Sequence, residues 1–191
     1  MWKQLIPALR MTLLMTVLTG LIYPAAITGL CQLMFKDRAN GSLTSAGSAL
    51  IGQNFSKPEY FHPRPSNAGS NGYDGTASGG FNDGPTSKKL IDRVSAATAK
   101  FREENPAFQG PIPADAVTAS ASGLDPDISP ANAEAQAARV AKARGVALEQ
   151  IQQIIAAHVQ PRELGFLGEP RVNVLELNAA LDEKTKSKIG R

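Results

Sequence analysis

From Met11 to Phe35 the chain carries no charged residue. These 25 positions are mostly Leu, Ile, Met, Val and Ala, with Thr and Gly between them. As a helix rising about 1.5 Å per residue the run spans roughly 37 Å, more than the ~30 Å hydrocarbon core of a bilayer. No soluble surface tolerates such a stretch, so the expectation is a membrane-spanning helix over 11–35. Trp2, Lys3 and Arg10 suit one interface, and Lys36 and Arg38 the other. A cleaved signal peptide would have an apolar region of about 7–15 residues, whereas this run continues past Ala25 and Ala26. A lipoprotein signal is excluded because Leu30, not a small residue, precedes Cys31.

Lys and Arg balance across the run, so the positive-inside count is a tie. A short tail over 1–10 ahead of a large following domain favours a cytoplasmic N-terminus with the rest exported. Thr12, Thr16, Thr19, Gly20 and Tyr23 form a stripe of small or hydroxylated residues at helical spacing. Such stripes gather where membrane helices touch other helices, so these are candidate partner contacts; the rival reading is that each Thr bonds back to its own helix. Pro24 lacks a backbone donor and crowds the carbonyl of Gly20, which predicts a kink.

The remaining chain reads as a connector over 36–48 and an α+β domain over 49–191. Ala49–Phe55 has the composition of a short strand. The segment 66–84 holds six glycines in nineteen residues and reads as a long loop, with Tyr73 and Phe81 as candidate anchors to a partner. A helix is expected from Pro85 to Glu104, on the stripe Leu90, Ile91, Val94, Ala97 and Phe101. Ala116–Ser122 reads as a short strand. Ser129-Pro130 is a cap followed by proline at the first helical position, and Gly145 stops that helix after Arg144. A second helix runs from Leu148 to Val159. Arg171–Leu177 alternates like a strand with Val172, Val174 and Leu177 inward, and the tail from Asp182 is polar.

The net charge of +3 is no nucleic-acid footprint. Arg139, Lys142 and Arg144, and likewise Lys184, Lys186 and Lys188, read as solvated faces. A single cysteine excludes an internal disulfide and a Cys-based zinc site. No Gly-Lys pair exists, so there is no phosphate-binding loop of the Gly-Lys-Ser/Thr type. His62 and His158 lack metal-ligand spacing, and His158 reads as structural. His62 in its proline-rich turn leaves a membrane-anchored hydrolase open, and an anchored binding domain remains a further alternative. Asp125 and Asp127 read as capping groups ahead of a helix rather than a calcium site. Ser120, Ser122, Gly123 and Asp125 mark the stretch most able to hold an anion on backbone amides, against the plainer reading of a tight turn. No metal site is expected.

Several strings go further than periodicity. Ala39-Asn40-Gly41-Ser42-Leu43 is followed by Gly47–Phe55 (GSALIGQNF), Tyr60-Phe61-His62, Arg64-Pro65-Ser66 and Ser78-Gly79-Gly80. Val117–Asp125 (VTASASGLD), Arg139–Arg144 (RVAKAR) and Val172–Asn178 (VNVLELN) complete the series. In this order, across nearly the whole length, they resemble the C-subunit family of the bacterial Kdp potassium-transporting ATPase. Phe81 and Asp83 depart from the family pattern, standing where a serine and an apolar residue are expected.

The resemblance implies a non-catalytic accessory subunit of a high-affinity potassium import complex in the bacterial plasma membrane, needed for assembly and activity. The implied partners are an ATP-hydrolysing P-type subunit, a potassium-selecting channel-like subunit and, as a further candidate, a small single-helix subunit. It also implies a catalytic-chaperone role that raises the ATP affinity of the hydrolysing subunit. The segment Ser120, Ser122, Gly123, Asp125 is the candidate for any nucleotide contact; no cofactor is assigned to this chain itself, and ATP is expected through the complex. The Asp-Lys-Thr-Gly phosphorylation string is absent from this chain.

Overall fold

The computed structural model describes residues 2–44 and 47–185. Lys186 and Lys188 of the basic tail, and Ser45 and Ala46 of the connector, lie outside the described residues. The chain divides into two units, 1–48 and 49–191.

In the first unit, α1 (Trp2–Val17) runs through a five-residue π-helical segment (Leu18–Ile22) into α2 (Tyr23–Met34). Together they make one helix of 33 residues whose most apolar 18-residue stretch has mean hydropathy 1.8, long enough to cross a bilayer. It covers the expected span as far as Met34 and begins earlier, so residues 2–10 are helical too. The predicted disturbance at Pro24 takes a specific form. The widened turn lies directly before the proline, and the Tyr23 amide donates to the Leu18 carbonyl, five residues back. A turn with an extra residue relieves the ring-to-carbonyl clash that proline imposes on a regular helix. The Thr19 hydroxyl donates to the Met15 carbonyl at 2.6 Å. A one-turn helix α3 (Lys36–Ala39) follows, then a two-residue pairing of β1 (Leu43–Thr44) with β2 (Gly47–Ser48).

The second unit is a mixed α and β domain. Its elements are α4 (Lys88–Glu104), α5 (Ala114–Val117), β3 (Asp127–Ile128), α6 (Pro130–Arg144), α7 (Leu148–His158), β4 (Val159–Gln160), β5 (Arg171–Asn173) and α8 (Val174–Thr185). The strands form an antiparallel sheet in the order β3-β5-β4. Helices α6, α7 and α8 close over it around Phe61, Ile128, Val140, Ile151, Ile155, Val172, Leu177 and Leu181, all almost fully buried.

The caps of α6 are as expected. The Ser129 hydroxyl accepts the Asn132 amide at 3.1 Å, and Gly145 ends the helix at φ 64°. Asp115 strengthens that start: its carboxylate accepts from the Ser129 amide at 2.7 Å, the Ser129 hydroxyl at 2.9 Å and the Asn132 side-chain amide at 3.0 Å. A carboxylate here is favoured by the helix dipole as well. Asp115→Ala should therefore lower the unfolding free energy by about 2 kcal/mol, read from the urea midpoint of the detergent-solubilised chain.

Three strand expectations are corrected. Residues 49–55 form no strand; the run is held irregularly, with the Gly52 amide donating to the Leu124 carbonyl at 2.9 Å. Ala116–Ser122 is instead the end of the short helix α5 and a serine-rich turn. Arg171–Leu177 is a strand only to Asn173. There the Asn173 side chain accepts the Glu176 amide at 3.1 Å and starts α8. The burial of Val172, Val174 and Leu177 is as expected, but Val174, Leu177, Asn178 and Leu181 recur at helical spacing.

The arginines of α6 are also corrected. Lys142 is exposed, but Arg144 is buried and bonds the Glu59 carbonyl at 2.7 Å and Asp182 of α8 at 3.0 Å. Its guanidinium also lies 4.9 Å from the centre of the Tyr60 ring. Arg139 donates to the Pro58 and Tyr60 carbonyls, to Asn105 and to Gln136. Burial brings its pKa down to about 10. Arg144, buried, and Arg139, half-buried, together hold the 58–62 segment against α6.

Candidate functional site

The Gly-rich segment 66–84 has neither helix nor strand, yet it is folded onto the 119–125 turn. The Ser66 hydroxyl is one joint. It donates to the Gly123 carbonyl at 2.6 Å and accepts the Ala68 and Tyr73 amides at 3.1 and 2.9 Å. A second joint is the Ser122 carbonyl, which accepts the Gly79 amide at 2.8 Å and the Ser78 hydroxyl at 2.9 Å. Two glycines are required for contact this close. A Cβ on Gly80 would sit 2.8 Å from the Ala121 carbonyl oxygen. Gly123 has φ +70°, and a Cβ there would meet the Gly79 carbonyl oxygen at 2.8 Å and Ala68 at 2.9 Å.

The turn itself is built from its own serines. The Ser120 hydroxyl accepts the Gly123 amide at 2.7 Å, and the Ser122 hydroxyl accepts the Leu124 amide at 3.1 Å. The two hydroxyls are 3.3 Å apart. Asp125 accepts the Asp127 amide at 3.0 Å and pairs with Arg64 at 2.8 Å; Arg64 also reaches the Ala119 carbonyl at 3.3 Å. The four residues singled out in the sequence are thus brought together. Two of the amides an anion would need, those of Gly123 and Leu124, already have acceptors within the turn.

Tyr73 lies inside this assembly. Its hydroxyl donates to the Arg64 carbonyl, and burial pushes the phenol far above its ordinary range. Phe81 packs under the Arg93 guanidinium, 3.7 Å from the ring centre, and Arg93 pairs with Asp83 at 2.6 Å. Phe81 and Asp83 are therefore joined through one arginine of α4. Replacing both (Phe81→Ser with Asp83→Ala) should leave Arg93 without these partners. Limited proteolysis should then cut within 66–84 severalfold faster, with overall stability lowered by about 1–2 kcal/mol.

Two clefts flank this assembly. One, of about 590 Å³, lies between the Gly-rich segment and α4, with Arg64, Tyr73, Phe81 and Phe101 in its walls. The other, of about 630 Å³, lies along α4 and α6 with Phe108 and Arg139 in its walls. His62 and Glu104 belong to both. The His62 Nδ1 is 3.3 Å from a Glu104 carboxylate oxygen, and its Nε2 is 3.1 Å from the Lys57 carbonyl and 3.4 Å from Arg139. Sequence reading placed no acid beside His62; Glu104 is 42 residues away and carried no signal. The hydrogen bond from His62 holds the Glu104 carboxyl below its ordinary range. Because that group is more acidic folded than unfolded, its contribution is present above the ordinary carboxylate pKa and is lost as pH falls through the folded value. A Glu104→Gln chain should lack this part of the acid-side loss in a urea titration across pH. His158 bonds the Ile154 carbonyl at 2.8 Å, a structural role. Among the described residues no cluster of three His, Cys, Asp or Glu side chains could hold a metal ion.

The stripe residues Thr12, Thr16, Thr19, Gly20 and Tyr23 are all exposed on the isolated helix. Fold and site together define an α+β domain that follows an apolar helix in the chain, with a glycine-rich segment locked onto a serine turn. The family described as "K+-transporting ATPase, c chain" matches residues 5–183. The chain is 56% identical over 190 residues to the "Potassium-transporting ATPase KdpC subunit" of Myxococcus xanthus, covering 96% of this chain and 90% of that one. It is 56% identical over 187 residues to the same subunit of Koribacter versatilis (95% of each), and 53% identical over 189 residues to that of Rhodospirillum rubrum (96% and 97%). The chain belongs to the KdpC family.

Proposed function

We propose that this chain is an accessory subunit of an ATP-driven potassium import complex, anchored by its apolar helix with the N-terminus cytoplasmic and the 49–191 domain outside. Its partners are an ATP-hydrolysing P-type subunit and a potassium-selecting channel-like subunit, with a small single-helix subunit as a further one. One observation carries the reading: the family match runs continuously through both the helix and the domain. The domain outside shapes the entrance of the ion-selecting subunit, and the docked Gly-rich segment is the part that does so.

Any gain in ATP affinity reaches the hydrolysing subunit by coupled conformations across the membrane rather than by nucleotide held on this domain. The support is that the Gly123 and Leu124 amides are already bonded within the turn. The alternative, nucleotide bound at Ser120–Asp125, requires that turn to open.

The test is purification of the tagged chain from membranes in mild detergent, with partners identified by mass and potassium-stimulated ATP hydrolysis assayed. Recovery in an active complex with a P-type ATPase supports the reading. Recovery alone returns the chain to an anchored binding domain outside a pump. Within an active complex, replacing 66–84 by a Gly/Ser linker should raise the potassium concentration for half-maximal ATPase activity severalfold. Unchanged affinity with intact assembly counts against a role for this segment. A new hydrolytic activity lost in His62→Ala would instead favour the anchored hydrolase.

A further inference from the structure

At four places in the sequence Asn or Asp stands directly before Gly: Asn40-Gly41, Asn71-Gly72, Asp74-Gly75 and Asp83-Gly84. Such pairs are chemically weak points. The amide nitrogen of the glycine can attack the side-chain carbonyl carbon before it, and glycine has neither a side chain to shield that nitrogen nor a restricted backbone to oppose ring closure. Asparagine is the more labile partner, because a carboxylate repels the attacking nitrogen and a neutral amide does not.

The fold treats the four pairs differently. The Asn40 side chain is held at both ends: its Nδ2 donates to the Lys36 carbonyl at 2.7 Å and to Gln32 Oε1 at 3.3 Å, and its Oδ1 accepts from Gln32 Nε2 at 3.2 Å. The Gly41 amide donates to the Arg38 carbonyl at 3.0 Å. Asp74 accepts the Thr76 amide at 2.9 Å and the Thr76 hydroxyl at 2.7 Å, and Asp83 pairs with Arg93 at 2.6 Å. Asn71 is exposed, and among the described residues only its backbone carbonyl is engaged, by Asn54 Nδ2 at 2.9 Å. The Gly72 amide reaches the Gly69 carbonyl at 3.5 Å, the outer limit of a hydrogen bond, and Gly72 sits at φ 74°. Here both the electrophile and the nitrogen are free to meet.

We infer that Asn71 is a site of spontaneous deamidation, and that the isoaspartate formed there loosens the 66–84 segment from the serine turn. The Gly72 nitrogen gives its proton to hydroxide and attacks Asn71 Cγ. A C–N bond forms, the bond from Cγ to Nδ2 breaks, and Nδ2 takes up a proton and leaves as ammonia. Water then opens the five-membered imide at either carbonyl. Opening at Cγ gives an ordinary aspartate. Opening at the main-chain carbonyl gives isoaspartate, in which the chain runs through Cβ and Cγ and is one atom longer. Water is the only reagent consumed, and nothing is oxidised or reduced. In the isoaspartate the carbonyl that accepted from Asn54 becomes a carboxylate off the main chain. The extra atom lies just ahead of the Tyr73 amide, whose 2.9 Å bond to the Ser66 hydroxyl is one joint of the segment. Little slack exists to absorb it, since a Cβ on Gly72 would already stand 3.3 Å from the Ser66 Cβ.

The experiment uses the full wild-type chain in mild detergent, kept warm at mildly acidic and mildly alkaline pH, beside the same chain unfolded in guanidinium. Peptide mass mapping follows the replacement of NH2 by OH at Asn71 and Asn40, and methyl transfer by a protein isoaspartate methyltransferase reports the isoaspartate. In the folded chain Asn71 should stay close to its unfolded rate and speed up with hydroxide, while Asn40 slows at least severalfold. Slowing of Asn71 as great as that of Asn40, or no accumulation at Asn71 in the folded chain, overturns the inference. The modified fraction, separated by its added negative charge, should be cut within 66–84 severalfold faster than unmodified chain of the same age. Equal cleavage overturns the loosening. An Asn71→Asp chain carries the charge without the extra atom and should be cut near the unmodified rate; cleavage as fast as in the modified fraction overturns the role of the lengthened backbone.

Discussion

Replacing Arg144 by methionine should lower the unfolding free energy of the domain by about 3 kcal/mol. The side chain is only 4% exposed and its guanidinium ties α6 to the 59–60 segment and to α8. It caps the Glu59 carbonyl, pairs with Asp182 on α8 and lies against the Tyr60 ring. Methionine keeps much of the volume but takes the donor from the half-buried Glu59 carbonyl and the charged partner from the Asp182 carboxylate, which keeps the Tyr60 hydroxyl at 3.0 Å. The midpoint of urea unfolding, followed by far-UV circular dichroism in detergent, checks the value. A second substitution separates charge from packing. Arg144→Met with Asp182→Leu should recover part of the loss, because removing both partners of an ion pair costs less than stranding one. A loss that is the same in single and double variants would mean that the Glu59 and Tyr60 contacts, not the pair, dominate.

Gly123→Ala should cost a similar amount, about 3 kcal/mol, by a different route. Its φ of +70° disfavours any side chain, and the added carbon would press on the Gly79 carbonyl oxygen and Ala68. None of the atoms it meets is the free end of a flexible chain, so the Gly-rich segment must lift away. The expected signature is therefore local before it is global. Hydrogen exchange at the Gly79 amide and proteolysis within 66–84 should accelerate at urea concentrations where the core around Val140 and Ile151 is still protected. Ser120→Ala, which removes the acceptor of the Gly123 amide and the contact with the Ser122 hydroxyl, should show the same pattern at about 1–2 kcal/mol.

Much of the architecture was legible because it depends on local signals. Ser129-Pro130 and Gly145 bracket α6, the apolar stripe ending at Phe101 runs down α4, and the uncharged run announces the membrane helix. The strands were illegible for a geometric reason. Those in the sheet are two or three residues long, too short to show alternation, and they exist only because β5 gives both neighbours a partner. The misreading of 171–177 had a cue that went unused: Asn173 followed three residues later by Glu176 has the spacing of a helix cap.

At the candidate site, the sequence singled out Ser120, Ser122, Gly123 and Asp125 as one stretch, and the structure joins them in one turn. It could not reveal that Arg64 and Ser66 reach that turn from 55–61 residues away, with Tyr73 bonded to both. Nor could it show that Arg139 and Arg144, spaced like surface charges, point inward. Such links depend on how the chain returns upon itself, and no local period records them.

The widened turn at Leu18–Ile22 has a consequence for how the membrane helix is addressed. One extra residue in a turn rotates everything beyond it by about 100° relative to a regular helix. Thr12 and Thr16 therefore share an azimuth that Tyr23 and the residues after it do not inherit by simple counting. The span behaves as two half-rods with a phase slip between them, each able to show a different side to a different neighbour in its own leaflet. A tolerance scan along 11–34 should register the slip directly: sensitive positions spaced by about 3.6 in each half, with the two series out of step across 18–22.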